Sequence, residues 1–340
     1  MKAVVIRKPG SVSVVKMDSP RPASGEVLIR IQYVGFCGSD LSTFLGKNPM
    51  VQYPRVPGHE ISGIIEEKGI GVPEELHAGD LVTVIPYTSC GQCVSCRRGR
   101  YNACRHNQTL GVQRDGAMQE YITVPWQKVL KAPGLNELEL VMVEPLTVGF
   151  HAIDRGGVEK SDVVMVLGCG MIGAGAIAGA LQCGAKVIAV DVDDHKLDLA
   201  GKLGAHHAIN SVKENLHETL AELTGGEGPD VVIEAAGNPV TYRAAVDEVA
   251  FTGRVVCIGY TGSEVSFATR LFVQKEIDIR GSRNATPDDF RRVIEYLEQG
   301  DFPLENMITR IVKPDEAANA LREWTEEPGS VMNILVDFKP

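Results

Sequence analysis

The sequence predicts a chain in two parts: a β-rich module of short strands, then an α/β region built on a doubly wound parallel sheet, with a short final return to the first part. Three observations carry that prediction. Strand-like runs broken by Gly and Pro fill roughly the first 125 residues. From about residue 150, apolar runs of strand length alternate with segments of helical length. The first of those apolar runs passes directly into a Gly-x-Gly-x-x-Gly turn. A length of 340 residues agrees with two domains.

The elements follow in order. The run 26–34 alternates, with Val27, Ile29, Ile31 and Tyr33 on one face. Further runs at 60–67 and 80–85 are separated by Pro54, Pro57, Gly58, Gly69 and Gly71, which suggests a compact barrel-like module. In the second part, strands are expected at 163–167, 186–191, 230–235, 254–258 and 276–280, with a helix at 194–203 after the second. The chain then turns helical at 287–299 and ends in a strand at 331–338. No internal repeat interrupts this order.

Composition excludes several classes of function. The net charge is −10 and the sequence is read as carrying no basic run, which argues against a nucleic-acid surface. No apolar stretch reaches the ~18 residues that a spanning helix needs, and the first residues show no apolar signal core. A cytoplasmic protein is expected. In such a compartment the eight cysteines are ligands, nucleophiles or core residues before they are disulfide partners.

Two motifs carry chemistry by themselves. Cys90-Gly-Gln-Cys93-Val-Ser-Cys96, followed by Cys104, gathers four thiols within one short loop at about 88–106. Thiolates are soft ligands and Zn²⁺ accepts a closed Cys₄ shell, so a structural zinc is expected here, with an iron–sulfur cluster, two disulfides or a redox pair as alternatives. Gly168-Cys-Gly170-Met171-Ile172-Gly173 lies between the strand 163–167 and a helix-like stretch from Ala174 to Cys183. There Gly168 permits the turn, Gly170 lets a pyrophosphate approach the backbone, and Gly173 lets helix and strand pack closely. Asp191 ends the next strand, where an acid binds ribose hydroxyls and repels a 2′-phosphate, so NAD is expected over NADP. A third set is dispersed. Cys37, Ser39 and Asp40 follow the first strong strand, His59 and Glu60 follow a Pro-rich turn, and Glu144-Pro145 reads as a turn before the nucleotide region. One cysteine, one histidine and one or two carboxylates suit an open zinc site.

With these motifs in this order, the sequence resembles the zinc-dependent medium-chain alcohol/polyol dehydrogenases over nearly its whole length. The matching segments are Gly35-Phe-Cys37-Gly-Ser-Asp40, Pro57-Gly-His59-Glu60, the four-cysteine lobe, Glu144-Pro-Leu-Thr-Val-Gly-Phe-His151 and the glycine turn. The resemblance is strongest to the sorbitol, threonine and sugar-acid branch. Gly281-Ser-Arg-Asn-Ala285 is similar to L-galactonate or L-gulonate 5-dehydrogenases. It implies a GroES-like catalytic domain at 1–150 and 284–340, a Rossmann NAD domain at 151–283, and a reaction in the cleft between them.

The resemblance also implies residue roles. Cys37 and His59 ligate a catalytic zinc, with Glu60 and Glu144 both candidates for the remaining positions. Ser39 relays the alcohol proton, and Asp40 orients His59 or caps a helix. Thr147 and Val148 lie under the nicotinamide, Met171 and Ile172 lie near the pyrophosphate, and Lys196, Ile258 and Tyr260 border the riboses. Apart from the resemblance, Arg283 is a candidate partner for a substrate carboxylate, with a cofactor or interface role as the alternatives. Phe44 and Tyr87 are weaker candidates for pocket lining, and His151 is read as structural. The implied activity is hydride transfer from a secondary hydroxyl of a polyol or hexonate to NAD, with one catalytic and one structural zinc per chain, in a homodimer or homotetramer. L-threonine 3-dehydrogenase or secondary-alcohol dehydrogenase activity is the nearest alternative. A non-catalytic NAD- and zinc-binding protein is the alternative from another class.

Overall fold

A computed structural model describes residues 1–340. The chain forms two units. The first comprises Met1–Glu144, Thr286–Gly300 and Leu304–Pro340, and the second Pro145–Ala285 with Asp301–Pro303. The boundaries read from the sequence, at 150 and 284, lie a few residues from this division, which falls between Glu144 and Pro145 and between Ala285 and Thr286.

The first unit opens with β1 (Lys2–Lys8), β2 (Ser11–Lys16), β3 (Glu26–Phe36), β4 (Glu60–Lys68), β5 (Leu81–Val84), β6 (Tyr121–Pro125) and β7 (Val129–Lys131). Strand β3 alternates in sequence, yet both its faces are buried. It is the central strand, and its register with β4 slips between Ile31 and Tyr33, which helps bring Gln32 into the interior beside the expected apolar face.

The next element was not expected. Glu137–Gly156 is a single 20-residue helix, and Pro145 lies inside it, so Glu144-Pro145 is not a turn. Proline has no N–H to donate to the carbonyl of Val141, a loss that ordinarily kinks or ends a helix. Complete burial of Leu140, Val141, Met142, Val143 and Leu146 supplies the compensating apolar contact.

The second unit is a parallel sheet of β8 (Val163–Leu167), β9 (Lys186–Asp191), β10 (His207–Asn210), β11 (Val231–Glu234), β12 (Arg254–Cys257) and β13 (Asp278–Gly281), in the order β10-β9-β8-β11-β12-β13. Successive side chains supply opposite faces. Val164, Val166, Val187, Ala189, Val231 and Ile233 pack with Ala176, Ile177 and Ala180 of the helix Met171–Gln182. Met165, Leu167, Ile188, Val190 and Val232 pack with Leu220 and Ala245 of the helices Leu216–Thr224 and Pro239–Glu248. Burial on both faces explains why these strands read as unbroken apolar runs. The strand order reverses beside β8, the position in such sheets where ligands meet the carboxyl ends of strands.

The chain returns to the first unit through the helix Pro287–Glu298, whose start is fixed by a reciprocal Thr286–Asp289 capping box. Strands β14 (Arg310–Val312) and β15 (Ile334–Asp337) complete a sheet ordered β14-β15-β3-β4-β5-β7, with β6 also on β3. No helix is long and apolar enough to cross a membrane.

Candidate functional site

Two groups of metal-ligating atoms form in the first unit. In one, the sulfurs of Cys90, Cys93, Cys96 and Cys104 all lie within 4.8 Å of one another. The four-residue helix Val94–Arg97 and the 3₁₀ turn Tyr101–Ala103 fold the loop around them. Cys93 Sγ is 3.5 Å from Cys96 Sγ and 3.9 Å from Cys104 Sγ. A zinc–sulfur bond of ~2.3 Å implies tetrahedral edges near ~3.8 Å, so the spacing fits that ion. No sulfur pair of the lobe is bonded, and separations of 3.5 and 3.9 Å suit a shared ion better than a disulfide of ~2.05 Å. Backbone N–H groups of Cys90 and His106 donate to Cys104 Sγ, and that of Cys93 donates to Cys90 Sγ. Hydrogen bonds from Ser95 and from backbone amides pull the Cys93 thiol down to about 5, whereas burial and neighbouring thiols push Cys96 up to about 12.

Four thiolates around a divalent ion leave an excess of about two negative charges. Arg97, Arg98, Arg100 and Arg105 lie in the same loop. They form a short basic run, which corrects the reading that the sequence has none, and their charge opposes that of the thiolates.

The second group joins Cys37, His59 and Glu60. Cys37 caps the helix Gly38–Phe44 at the end of β3, and Glu60 begins β4. The antiparallel register sets Gly35 opposite Glu60, which draws residues distant in sequence together. His59 Nδ1 is buried with no hydrogen-bond partner. A buried ring nitrogen without a partner, beside a thiol and a carboxylate, fits a metal ligand. Burial disfavours the charged ring, but Cys37, Glu144 and Asp40 outweigh it and hold His59 well above its usual range. Burial raises the Cys37 thiol. Burial and then Glu144 push Glu60 up to about 8. Three or four acidic groups crowded out of water thus compete for protons, the electrostatic condition that a bound cation relieves.

The sequence-predicted residues around this group divide. Ser39 Oγ is buried without a partner. Asp40 does not accept from His59. Its two oxygens accept the backbone N–H groups of Cys37 at 3.0 Å and Gly58 at 3.3 Å, so it is a cap and a clasp between two loops. Its rapport with the ring is electrostatic. Glu144 takes a separate position, with Oε1 accepting a hydrogen bond from the Tyr87 hydroxyl. Burial also raises Glu144, against the pull of His59 and Tyr87. The Tyr87 ring is edge-on to Phe290, with centroids 6.3 Å apart. Phe44 belongs to the apolar core, and His151 is buried.

In the second unit the glycine turn has the expected form. Gly168 has φ +93°, and a Cβ on Gly173 would come within 1.9 Å of the Gly168 carbonyl oxygen, so neither position accepts another residue without movement. Gly170 caps the helix that starts at Met171 and Ile172, and nothing crowds it. Asp191 accepts from the backbone N–H groups of Cys169 at 2.7 Å, Val192 at 2.7 Å and Asp193 at 3.1 Å. Its carboxylate is therefore locked against the turn. Lys196 begins the next helix turn, where Asp193 caps its backbone N–H. Thr147 and Ile258 are buried, Tyr260 is 77 % exposed, and Arg283 is half-buried just beyond β13.

Tyr87, a weaker candidate for pocket lining in the sequence, is the hydrogen-bond donor to Glu144, and Asn333 carries no sequence signal at all. Asn333 Nδ2 donates to Glu60 Oε2 at 2.7 Å across 273 positions of sequence. No spacing signals such a contact.

Comparison with known proteins shows the family. A family model for the zinc-binding dehydrogenases matches residues 172–299, and one for the alcohol dehydrogenase GroES-like domain matches residues 23–134. An uncharacterized zinc-type alcohol dehydrogenase-like protein of Haemophilus influenzae is 34% identical over 339 residues, covering 99% of both chains. L-galactonate-5-dehydrogenase of Escherichia coli is 33% identical over 309 residues, covering 91% of both. The crystal structure of an alcohol dehydrogenase from E. coli CFT073 complexed with NADH superposes with a TM-score of 0.92 at 32% identity, covering 99% of both chains.

Proposed function

The chain belongs to the zinc-dependent medium-chain alcohol/polyol dehydrogenase family, and from that premise we propose that it oxidises a secondary hydroxyl of a polyol or sugar acid to a ketone with NAD as acceptor. The observation that carries this reading is the convergence of Cys37, His59 and Glu60 ligand atoms within 4.8 Å. Relatives named for L-galactonate, sorbitol and L-threonine support a small hydroxylated substrate.

Cys37, His59 and Glu60 would hold the catalytic zinc, and Cys90, Cys93, Cys96 and Cys104 would hold the structural one. When bound, the catalytic zinc supplies a Lewis acid and the nicotinamide supplies the hydride acceptor. Ser39 Oγ, buried and otherwise without a partner, would accept the proton of the substrate hydroxyl while passing its own hydroxyl proton outward to the ribose hydroxyls of the bound nucleotide, so that one proton leaves and the serine is unchanged. Asp40 keeps the Cys37 and Gly58 backbones in register, so that thiol and ring stay convergent. Tyr87 holds Glu144 beside the site as a second carboxylate that raises the proton affinity of Glu60.

On the cofactor side, Gly168, Gly170 and Gly173 admit the pyrophosphate against the backbone of Met171 and Ile172. Asp191 receives the adenosine ribose hydroxyls, with Lys196 nearby in sequence; its carboxylate repels a 2′-phosphate. Thr147, Ile258 and Tyr260 border the nicotinamide end, and Arg283 meets the carboxylate of a sugar-acid substrate. A cytoplasmic setting agrees with eight free thiols. A homodimer or homotetramer agrees with the edge strand β13, on which Ile279 is 46 % exposed.

The test is NADH formation against a panel of polyols, hexonates, threonine and simple alcohols, with and without prior zinc depletion. Zinc-dependent turnover of a hexonate or polyol supports the reading. Turnover of threonine alone would move the substrate class, and no turnover by zinc-loaded, NAD-binding protein would remove the catalytic reading.

A further inference from the structure

We infer that Asn333 is a positioning residue for Glu60, holding one lobe of its carboxylate so that the group stays directed at Cys37 and His59. The inference rests on reading Glu60 as a ligand of the catalytic zinc.

Three elements build a niche around this carboxylate. Strand β3 lies between β4 and β15, and its Gly35 is the register partner of both Glu60 and Leu335. Asn333 stands just ahead of β15, and its own carbonyl accepts from the Thr309 backbone N–H, which ties its backbone down. From there Asn333 Nδ2 reaches Glu60 Oε2 at 2.7 Å, with both residues at 2 % exposure or less. Gly35 leaves the space in which this happens. A Cβ there would come within 2.1 Å of Glu60 Oε2 and 3.1 Å of Asn333 Oδ1.

The chemistry of the donor matters. A lysine or arginine in this niche would pair with Glu60 and withdraw its charge from a metal. An amide donates one hydrogen bond and leaves the carboxylate its full charge. The hydrogen bond occupies one site on the group, while Glu60 still offers an oxygen within 4.8 Å of the Cys37 and His59 ligand atoms. The arrangement also carries a cost that packing alone does not explain: Asn333 Oδ1 is buried with no hydrogen-bond partner. An unsatisfied buried carbonyl is tolerated when its amide nitrogen is needed elsewhere, and here the nitrogen serves Glu60.

The experiment uses zinc-loaded full-length protein and measures the rate at which a chelator removes the more labile zinc, together with the visible spectrum after cobalt is exchanged into that site. The variants are Asn333→Ala, Asn333→Asp, Gly35→Ala and, as reference, Glu60→Ala. Loss of a group that orients a ligand weakens metal holding by roughly 10- to 100-fold. Asn333→Ala and Gly35→Ala are expected to speed zinc release by at least about ten-fold and to shift the cobalt bands. Asn333→Asp keeps the side-chain volume and replaces the amide donor by a carboxyl group that repels Glu60 or shares its proton, so it is expected to do the same, and a change shared with Asn333→Ala is assigned to the lost amide donor rather than to lost packing. It also serves if either other variant fails to fold. Parental release and spectra in the Asn333 variants, with both changed in Glu60→Ala, would overturn the positioning role and leave Glu60 as a ligand. No change in Glu60→Ala would remove the ligand reading itself, and the inference with it.

Discussion

The four-cysteine lobe and the Cys37/His59/Glu60 group occur in the same unit and answer different physical problems. The lobe takes its ligands from fifteen consecutive positions, Cys90 to Cys104, and closes them with turns of three and four residues. All four donors are of one kind, and backbone N–H groups complete the sulfurs' hydrogen bonding. The second group draws on β3, a Pro-rich loop and β4, mixes thiol, imidazole and carboxylate, and leaves His59 Nδ1 and Ser39 Oγ buried without partners. A saturated, uniform shell serves stability. An under-satisfied, mixed shell stores the capacity to bind something further.

The largest effect that tests this contrast lies in the mixed group. Cys37→Ser and His59→Ala are each expected to lower kcat/KM by at least roughly a thousand-fold, about 4 kcal/mol of transition-state stabilisation. The melting temperature and NAD affinity should stay near the parental values, and elemental analysis should find one zinc per chain in place of two. A large fall in melting temperature in these variants would mean that the two groups share the structural burden.

The complementary variant is Cys104→Ser. It should also leave one zinc, but the loss should appear as stability. Breaking a closed metal shell is expected to cost about 3 kcal/mol, or roughly 6–12 °C of melting temperature for a unit of this size, read by calorimetry. Activity of the protein that remains folded should fall only a few-fold. Abolished turnover in fully folded Cys104→Ser would break the division between a structural and a reactive site.

How far this contrast was legible in the sequence depends on the distance over which each feature is built. The lobe was legible because its ligands are adjacent. The glycine turn was legible because strand, turn and helix follow without interruption from Val163 to Gln182. The mixed group needed a family resemblance to be assembled, because only the β3–β4 register brings Gly35 opposite Glu60. Where local rules compete with tertiary burial, the sequence misled. Glu144-Pro145 has the local chemistry of a turn, yet apolar burial carries a helix through it. Asp40 has the chemistry of a histidine partner, yet two backbone amides reach it first. Asn333 was invisible, since nothing in its neighbourhood marks a residue that meets Glu60 from the other end of the chain.

A smaller effect concerns the carboxylate outside the three-ligand group. Tyr87→Phe removes the hydroxyl that donates to Glu144 Oε1 in a buried setting. About 1–2 kcal/mol is expected, seen as a roughly ten-fold lower kcat/KM with both zincs retained. Loss of the catalytic zinc in Tyr87→Phe would show instead that Glu144 belongs among its ligands.

The smallest effect compares the thiols themselves after both metals are removed. Thiolate, not thiol, reacts with iodoacetamide. Cys93, held at about 5 by Ser95 and backbone hydrogen bonds, is already thiolate at neutral pH. Its alkylation rate should therefore stay nearly flat between about pH 6.5 and 8.5. Burial raises Cys37 above its ordinary value, so the thiol form dominates across that range. Its rate should climb close to ten-fold per pH unit, since each unit raises the thiolate fraction by that factor while pH remains below the pKa. Peptide mapping by mass spectrometry separates the two sites within one reaction. Parallel pH profiles would mean that the environments of the two thiols converge once metal leaves, and that the difference between the groups is imposed by the ions. Divergent profiles would mean that it is built into the chain, where hydrogen bonds to sulfur prepare one group and exclusion of water prepares the other.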